Sequence, residues 1–208
     1  MDKNIVNLKS GISYASNCYL LTLGDESMLI DPSAMCDLSK VKARLKYIVL
    51  THIHFDHMLE LDAWVRNTDA TVIVSSEGVS ALKDSRENCY MQFLMRDRGY
   101  DGEYRTVSDG EVLTLGGKEL TVWQTPGHAA SAIAIIGDGF AFVGDTLFDG
   151  GGFGRYDLPG SDFSKLRQSI RRLLTLPSDT TIYSGHGSCF KLEKYKHSST
   201  ILFTFFIP

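Results

Sequence analysis

The 208-residue chain is poor in the features that mark specialised classes of protein. Its 4 cysteines, Cys18, Cys36, Cys89 and Cys189, form no CxxC pair, so they read as reduced thiols rather than a disulfide framework or a zinc knuckle. With 5 prolines and no internal repeat, linker-like run or charge block, the chain reads as one globular domain over residues 1–208. There is no basic excess. Lys plus Arg is 21 against 25 for Asp plus Glu, a formal charge of −4, whereas nucleic-acid and anionic-membrane binders carry a cationic surface. No apolar signal-peptide core follows Met1-Asp2-Lys3-Asn4. The apolar tail from Ile201 to Ile207, within the last stretch to Pro208, is far shorter than the ~20 residues of a membrane helix and is expected to pack within the fold or at a dimer contact. The expectation is a cytoplasmic protein with a small-molecule partner, no nucleic acid and no membrane; oligomeric state stays open.

What the chain does have is a regular alternation of short β-type runs and helical patterns. Ile5 to Leu8, Tyr19 to Leu23 and Ser27 to Ile30 read as strands, the last two joined by a Gly24-Asp25 turn. Leu38, Val41 and Leu45 recur at helical spacing. Tyr47 to Thr51 is a buried-strand run, followed by a helix from about Met58 to Asn67 and a strand from Thr71 to Ser75. Residues 77–104 read as helical, and could roof a pocket with Tyr90, Met91, Phe93 and Met95. Val107 to Gln124 reads as β, with turns at Asp109-Gly110 and Gly116-Gly117. Gly137-Asp138-Gly139 marks a hairpin between Ile133–Ile136 and Phe140–Val143. From Asp162 to Leu174 a stripe of Phe163, Leu166, Ile170, Leu173 and Leu174 predicts a helix with Arg167, Arg171 and Arg172 off its buried face, and Thr181 to Tyr183 is a final strand. Two groups of strands, each followed by helices, predict an α/β fold of two sheets with helices outside.

The most informative stretch is Thr51-His52-Ile53-His54-Phe55-Asp56-His57, directly after a strand. With His at 6 and acids at 25 per 208 residues, such an HxHxDH string arises by chance roughly six times in ten thousand chains. Crowded imidazoles resist joint protonation, and their neutral nitrogens suit a metal cation. In an extended segment His52 and His54 point to one side and can share an ion. Asp56 and His57 fall where the chain turns into a helix and can face a second ion. His128 after Thr125-Pro126-Gly127, Asp145 after Val143-Gly144 and His186 between Gly185 and Gly187 each follow a strand, where α/β sheets place ligand-binding residues.

In this order, His52-x-His54-x-Asp56-His57, His128, Asp145 and His186, the chain resembles the metallo-β-lactamase superfamily, from about residue 15 to 190. The resemblance implies a four-layer αββα sandwich with metals at one edge. It implies that His52, His54 and His128 hold one divalent ion, that Asp56, His57 and His186 hold a second, and that Asp145 bridges them. Zinc is the first expectation for the two ions, with iron or manganese as alternatives. Asp31, ending its strand beside Pro32, resembles an acid that supports the ligands.

Within the superfamily, the commonest β-lactamases carry Cys where Asp145 stands, which argues against antibiotic hydrolysis. Gly144-Asp145-Thr146-Leu147-Phe148 followed by Gly154-Arg155-Tyr156-Asp157 is similar to glyoxalase II-like hydrolases, whose basic and aromatic residues in this loop contact the thiol part of the substrate; Arg155 and Tyr156 match. The C-terminal helical domain that grips glutathione is not expected here. Ala129 and Ala130 stand where the family has Thr, and Glu193 matches the glutamate of the tail motif without its Asn-Pro. The expected activity is hydrolysis of thioesters or related esters by a metal-bridging hydroxide, with Asp56 and Asp145 as ligands that also assist proton transfer. The alternatives are a persulfide dioxygenase using a single iron on His52, His128 and Asp145, a lactonase, and a non-catalytic metal-binding module.

Overall fold

The computed structural model describes residues 3–196; His197 and the apolar tail from Ile201 to Pro208 lie outside the described residues. The first sheet contains β1 (Lys3–Leu8), β2 (Cys18–Leu23), β3 (Glu26–Ile30), β4 (Arg44–Val49), β5 (Thr71–Ser75) and β6 (Arg105–Val107), in that spatial order. Its β1-β2-β3 part is antiparallel, and β3, β4, β5 and β6 run parallel. Helices α1 (Leu61–Arg66), α2 (Val79–Lys83) and α3 (Tyr90–Leu94) fall in the crossovers. The second sheet is built from β7 (Val112–Leu115), β8 (Lys118–Gln124), β9 (Ile133–Gly137) and β10 (Phe140–Gly144), then β13 (Thr181–Ser184) and β14 (Phe190–Lys191). A short ribbon, β11 (Leu147–Phe148) with β12 (Gly152–Phe153), and helix α4 (Phe163–Leu173) lie between β10 and β13; α5 (Leu192–Lys196) ends the described chain.

Side chains alternate across each strand, so both faces of both sheets are buried and three apolar layers result. Met28, Ile30, Tyr47, Val49 and Ile73 from the first sheet meet Ile133, Ile135, Phe140 and Phe142 from the second in the central layer. Leu29, Ile48, Val72 and Val74 point the other way, onto Trp64 of α1 and Leu82 of α2. Ala141 and Val143 point outward onto Leu166, Ile170 and Leu173 of α4. Those three α4 side chains are fully buried, and each contributes about 1.5–3 kcal/mol relative to exposure. The architecture is the αββα sandwich expected from the sequence.

Two sequence expectations fail. Leu38 to Lys40 makes a single 3-10 turn, and Leu45, expected on a helix, lies in β4 beside Ser27 of β3. The parallel pairing of β3 with β4 overrides the helical spacing. The long helix expected over 77–104 is only α2 and α3 with irregular chain between them. Cys89 and Met95 bracket α3 in the left-handed region at φ 67° and 52°, which a continuous helix excludes. The helix read from Met58 starts later, at Leu61, after a 3-10 turn over Phe55–His57.

Candidate metal centre

The strand ends bring the acidic and imidazole groups together at one edge of the sandwich. His52, His54, Asp56 and His57 follow β4 of the first sheet; His128 follows β8, Asp145 follows β10 and His186 follows β13 of the second. Their ligand atoms form three overlapping groups, His52/His54/His128, His52/His57/Asp145 and Asp56/His57/His186, in each of which the atoms lie within 4.8 Å of one another. Asp145 sits among them, its Oδ1 3.4 Å from His57 Nε2 and its Oδ2 3.6 Å from both His128 Nε2 and His186 Nε2. Ile53, between the two leading histidines, points instead into the outer apolar layer.

Contacts behind the ring bear on which nitrogen three of the imidazoles present. Asp31, buried and held at φ 54°, accepts from the Thr51 N–H and the Thr51 hydroxyl, both at 2.8 Å, and its Oδ2 lies 2.9 Å from His57 Nδ1. The negative charge beside Nδ1 favours a proton there and leaves Nε2 facing the cluster. With its proton committed to Asp31, the Thr51 oxygen presents lone pairs to His52 Nδ1 at 3.3 Å. His128 Nδ1 donates to the Arg155 carbonyl at 2.8 Å. The sequence pointed to Asp31; it gave no role to Thr51, whose signal was only a hydroxyl residue before the first histidine. Asn17 went unnoticed too. Its side-chain amide donates to the carbonyls of Ser184 and Gly187, tying the loop before β2 to the His186 turn.

Close approach explains two glycines. Gly144 has φ 51°, and a Cβ there would lie 2.5 Å from Thr51 Oγ1. A Cβ on Gly185 would lie 2.2 Å from Asp145 Oδ1 and 2.6 Å from His57 Cε1.

Electrostatically the centre has two halves. Burial, reinforced by the neighbouring imidazoles, holds His52 well below the usual histidine range and pushes His54 down to about 3. Burial also opposes charge on His57, but Asp31, Asp56 and Asp145 together raise it. Burial opposes ionisation of Asp56 and Asp145, yet the facing imidazoles, His57 foremost, hold both carboxyls below their usual range. His52 Nε2, both His57 nitrogens and Asp145 Oδ1 are buried without an aligned hydrogen bond, as is His54 Nε2, whose other nitrogen, Nδ1, lies 3.0 Å from His128 Nε2. Unpaired buried polar atoms are costly. The imidazoles of this cluster together with the carboxylates of Asp56 and Asp145 are the borderline nitrogen and oxygen donors that zinc and comparable divalent ions take. The residues fit such ions.

Arg155 and Tyr156 stand next to the centre, but their side chains are engaged elsewhere. The Arg155 guanidinium makes a two-point contact with Asp157 at 2.7 Å, and Tyr156, half exposed, packs on Phe163 with ring centroids 4.5 Å apart. Of the segment expected as a roof, Tyr90 is core, Phe93 stacks on Phe55 with centroids 5.4 Å apart, and Met91 and Met95 are exposed.

An αββα sandwich with a histidine–aspartate cluster spanning the ends of both sheets defines a class of metal-binding protein. The chain belongs to the metallo-beta-lactamase superfamily, whose family model matches residues 13–186. It is 29% identical to the hydroxyacylglutathione hydrolase GloC of Haemophilus influenzae, over 91% of this chain and 94% of that protein. Its fold is similar to that of the BLEG-1 B3 metallo-beta-lactamase, with a TM-score of 0.85 at 27% identity over 94% of this chain and 98% of that one. TTHA1623, whose structure is described as a di-iron-bound form, matches with a TM-score of 0.80 at 27% identity over 93% of this chain and 98% of that one. The glyoxalase II-like resemblance read from the sequence agrees with the similarity to the hydroxyacylglutathione hydrolase. Among the described residues no helix is long and apolar enough to cross a membrane.

Proposed function

We propose that this protein is a binuclear metal-dependent hydrolase of thioesters or related esters. The observation that carries the reading is the convergence of unpartnered, buried imidazole nitrogens and the Asp145 oxygen from both sheets. His52, His54 and His128 would hold one ion, Asp56, His57 and His186 the other, with Asp145 between them. Two divalent ions held there supply a hydroxide nucleophile at neutral pH and a Lewis acid for the carbonyl oxygen. The chain's own groups do the rest. Asp31 and the Arg155 carbonyl orient His57 and His128. Asp56, whose Oδ2 lies 3.0 Å from His186 Nε2, stands on the more open side of the centre, where His186 is 37% exposed, and can accept a proton as the acyl bond is attacked. A thiolate leaves readily near its own pKa of ~8.5, so a thioester needs no strong general acid.

The group Asp56/His57/His186 is assembled as closely as His52/His54/His128, which favours two ions over the single iron of a dioxygenase. The test is metal content on protein purified without chelator, followed by assay on S-lactoylglutathione, a neutral thioester, a lactone and a β-lactam. Two ions per chain with thioester turnover is the expected result. One iron per chain, oxygen uptake with a persulfide, or turnover of the β-lactam alone would overturn the reading.

A further inference from the structure

Beside the metal centre lies a cavity of about 280 Å³ whose chemistry the metal ligands do not explain. His54 forms part of its wall, and that imidazole is 5% exposed with an unpartnered Nε2. Ile53, Ala81, Ala129 and Pro159 give the cavity apolar surface, while Glu77 and Glu87 bring carboxylates from the segment around α2. Both glutamates are exposed, and neither has an ion-pair partner among the described residues. The Ser80 hydroxyl donates to Glu87 Oε2 at 2.9 Å, which orients that carboxylate. No Lys or Arg lines the cavity, and the nearby Arg155 is neutralised by Asp157. Ala129 and Ala130, in place of the larger Thr expected from the resemblance, leave the space open.

We propose that this cavity receives a cationic, ammonium-bearing part of the substrate, so that the enzyme prefers positively charged thioesters or esters to anionic ones such as glutathione thioesters. The inference deepens the hydrolase reading and rests on it. An ammonium group seated between Glu77 and Glu87 gains two opposite charges on an apolar floor, while the reacting carbonyl reaches past His54 to the metal centre. A glutathione carboxylate in the same place would face two like charges, with no Lys or Arg in the lining of the cavity.

The test uses the metal-loaded full chain and thioesters that differ chiefly in charge: acetylthiocholine, a neutral S-acetyl mercaptoalcohol of similar length, and an S-acetyl mercaptocarboxylate. The expected order of kcat/KM is cation, then neutral, then anion, with the preference shrinking at high salt. The double variant Glu77→Gln/Glu87→Gln should narrow the cation-to-neutral ratio about three- to tenfold, through KM, the scale of two partly exposed ion pairs. Equal kcat/KM for cation and anion in the wild type, or an unchanged ratio in the double variant, would overturn the proposal. If no thioester of any charge is hydrolysed, the hydrolase reading fails. The pocket is then read by calorimetric titration of the inert S-methyl ether of thiocholine into wild type and double variant. Binding that weakens about three- to tenfold in the variant supports the pocket, on the same ion-pair scale; no binding to the wild type refutes it.

Discussion

Replacing Asp31 by Asn should weaken both metal positions at once, although Asp31 lies behind the ring of ligands. Asn tolerates φ 54°, so the substitution leaves the backbone unstrained and isolates the charge. With its carbonyl oxygen toward the Thr51 N–H, the new amide NH2 occupies the place of Oδ2 and donates to both Thr51 Oγ1 and His57 Nδ1, where Oδ2 now accepts at 2.8 Å and lies at 2.9 Å. His57 must then carry its proton on Nε2, the atom facing the cluster. The freed Thr51 hydroxyl turns its hydrogen on His52 Nδ1, 3.3 Å away, and drives that proton to Nε2 as well. The opposite amide orientation sets NH2 against the Thr51 N–H in a site 1% exposed, a lost hydrogen bond costing about 1–3 kcal/mol. In the first orientation, which that cost favours, one imidazole from each ion's set loses its orienting partner. Loss of such a partner lowers metal affinity about 10–100-fold, or roughly 1.4–2.8 kcal/mol per ion. Three contacts to a charged acceptor become neutral ones, so apo stability should fall by only about 2–3 kcal/mol out of a total of about 5–15, and the variant should fold. Competition with a chromophoric chelator measures both affinities, and urea unfolding of the apo protein measures the stability. Wild-type affinity at both positions would refute this account of the ligand tautomers.

Gly185→Ala drives a methyl group against Asp145 and His57, so a folded protein with kcat/KM reduced about 100-fold is expected, checked by kinetics beside circular dichroism. Glu26 is held below the ordinary carboxylate range by the hydrogen bond from Lys46 at 2.9 Å, then by the Gly116 N–H, with Arg44 adding to it. Because its folded-state value is depressed, its contribution is present above its ordinary value of 4.5 and is lost as pH falls through and below it. Glu26→Gln should therefore be less stable than wild type at pH 7 in chelated protein, with the gap closing as pH falls to about 3; a gap independent of pH in urea midpoints would refute the assignment.

The order of the site residues was legible in the sequence because each follows a short apolar strand, and strand ends are marked by local signals: Thr51 after a β run, Gly144 before Asp145, Gly185 before His186. The central strands were legible for a related reason. Runs such as Phe140 to Val143 are buried on both faces, and that produces an unbroken apolar string. The misread segments owe their form to distant partners. Leu45 carries helical spacing with Leu38 and Val41, yet parallel pairing with β3 decides its conformation. Residues 77–104 have helix-forming composition, but the chain reverses between α2 and α3, where Asn88 gives its carbonyl to the Phe55 N–H and its amide to Arg98. No local pattern encodes those partners. Glu77 and Glu87 illustrate the same limit, being ordinary surface glutamates in the sequence until the fold sets them around one cavity.

The ligands are divided between two sheets, which raises the question of whether the ions hold the sandwich together. The packing says that they do not. The central layer joins the sheets through side chains such as Leu21, Met28, Val49, Ile73, Val122, Ile135 and Phe142, each fully buried, with no metal ligand among them. At about 1.5–3 kcal/mol per buried side chain, this layer outweighs the linkage from two ions, each adding about 2.7 kcal/mol when free metal is 100 times its dissociation constant. Chelation should thus lower the melting temperature by several degrees while leaving near-ultraviolet circular dichroism from the core aromatics intact. The lost protection in hydrogen exchange should be confined to the segments around His52–Met58, His128, Asp145 and His186, whose ligand atoms become free to take up water. A chelated protein that loses its near-ultraviolet signal, or that exchanges rapidly throughout β3, β4, β9 and β10, would show that metal binding rather than apolar packing unites the two sheets.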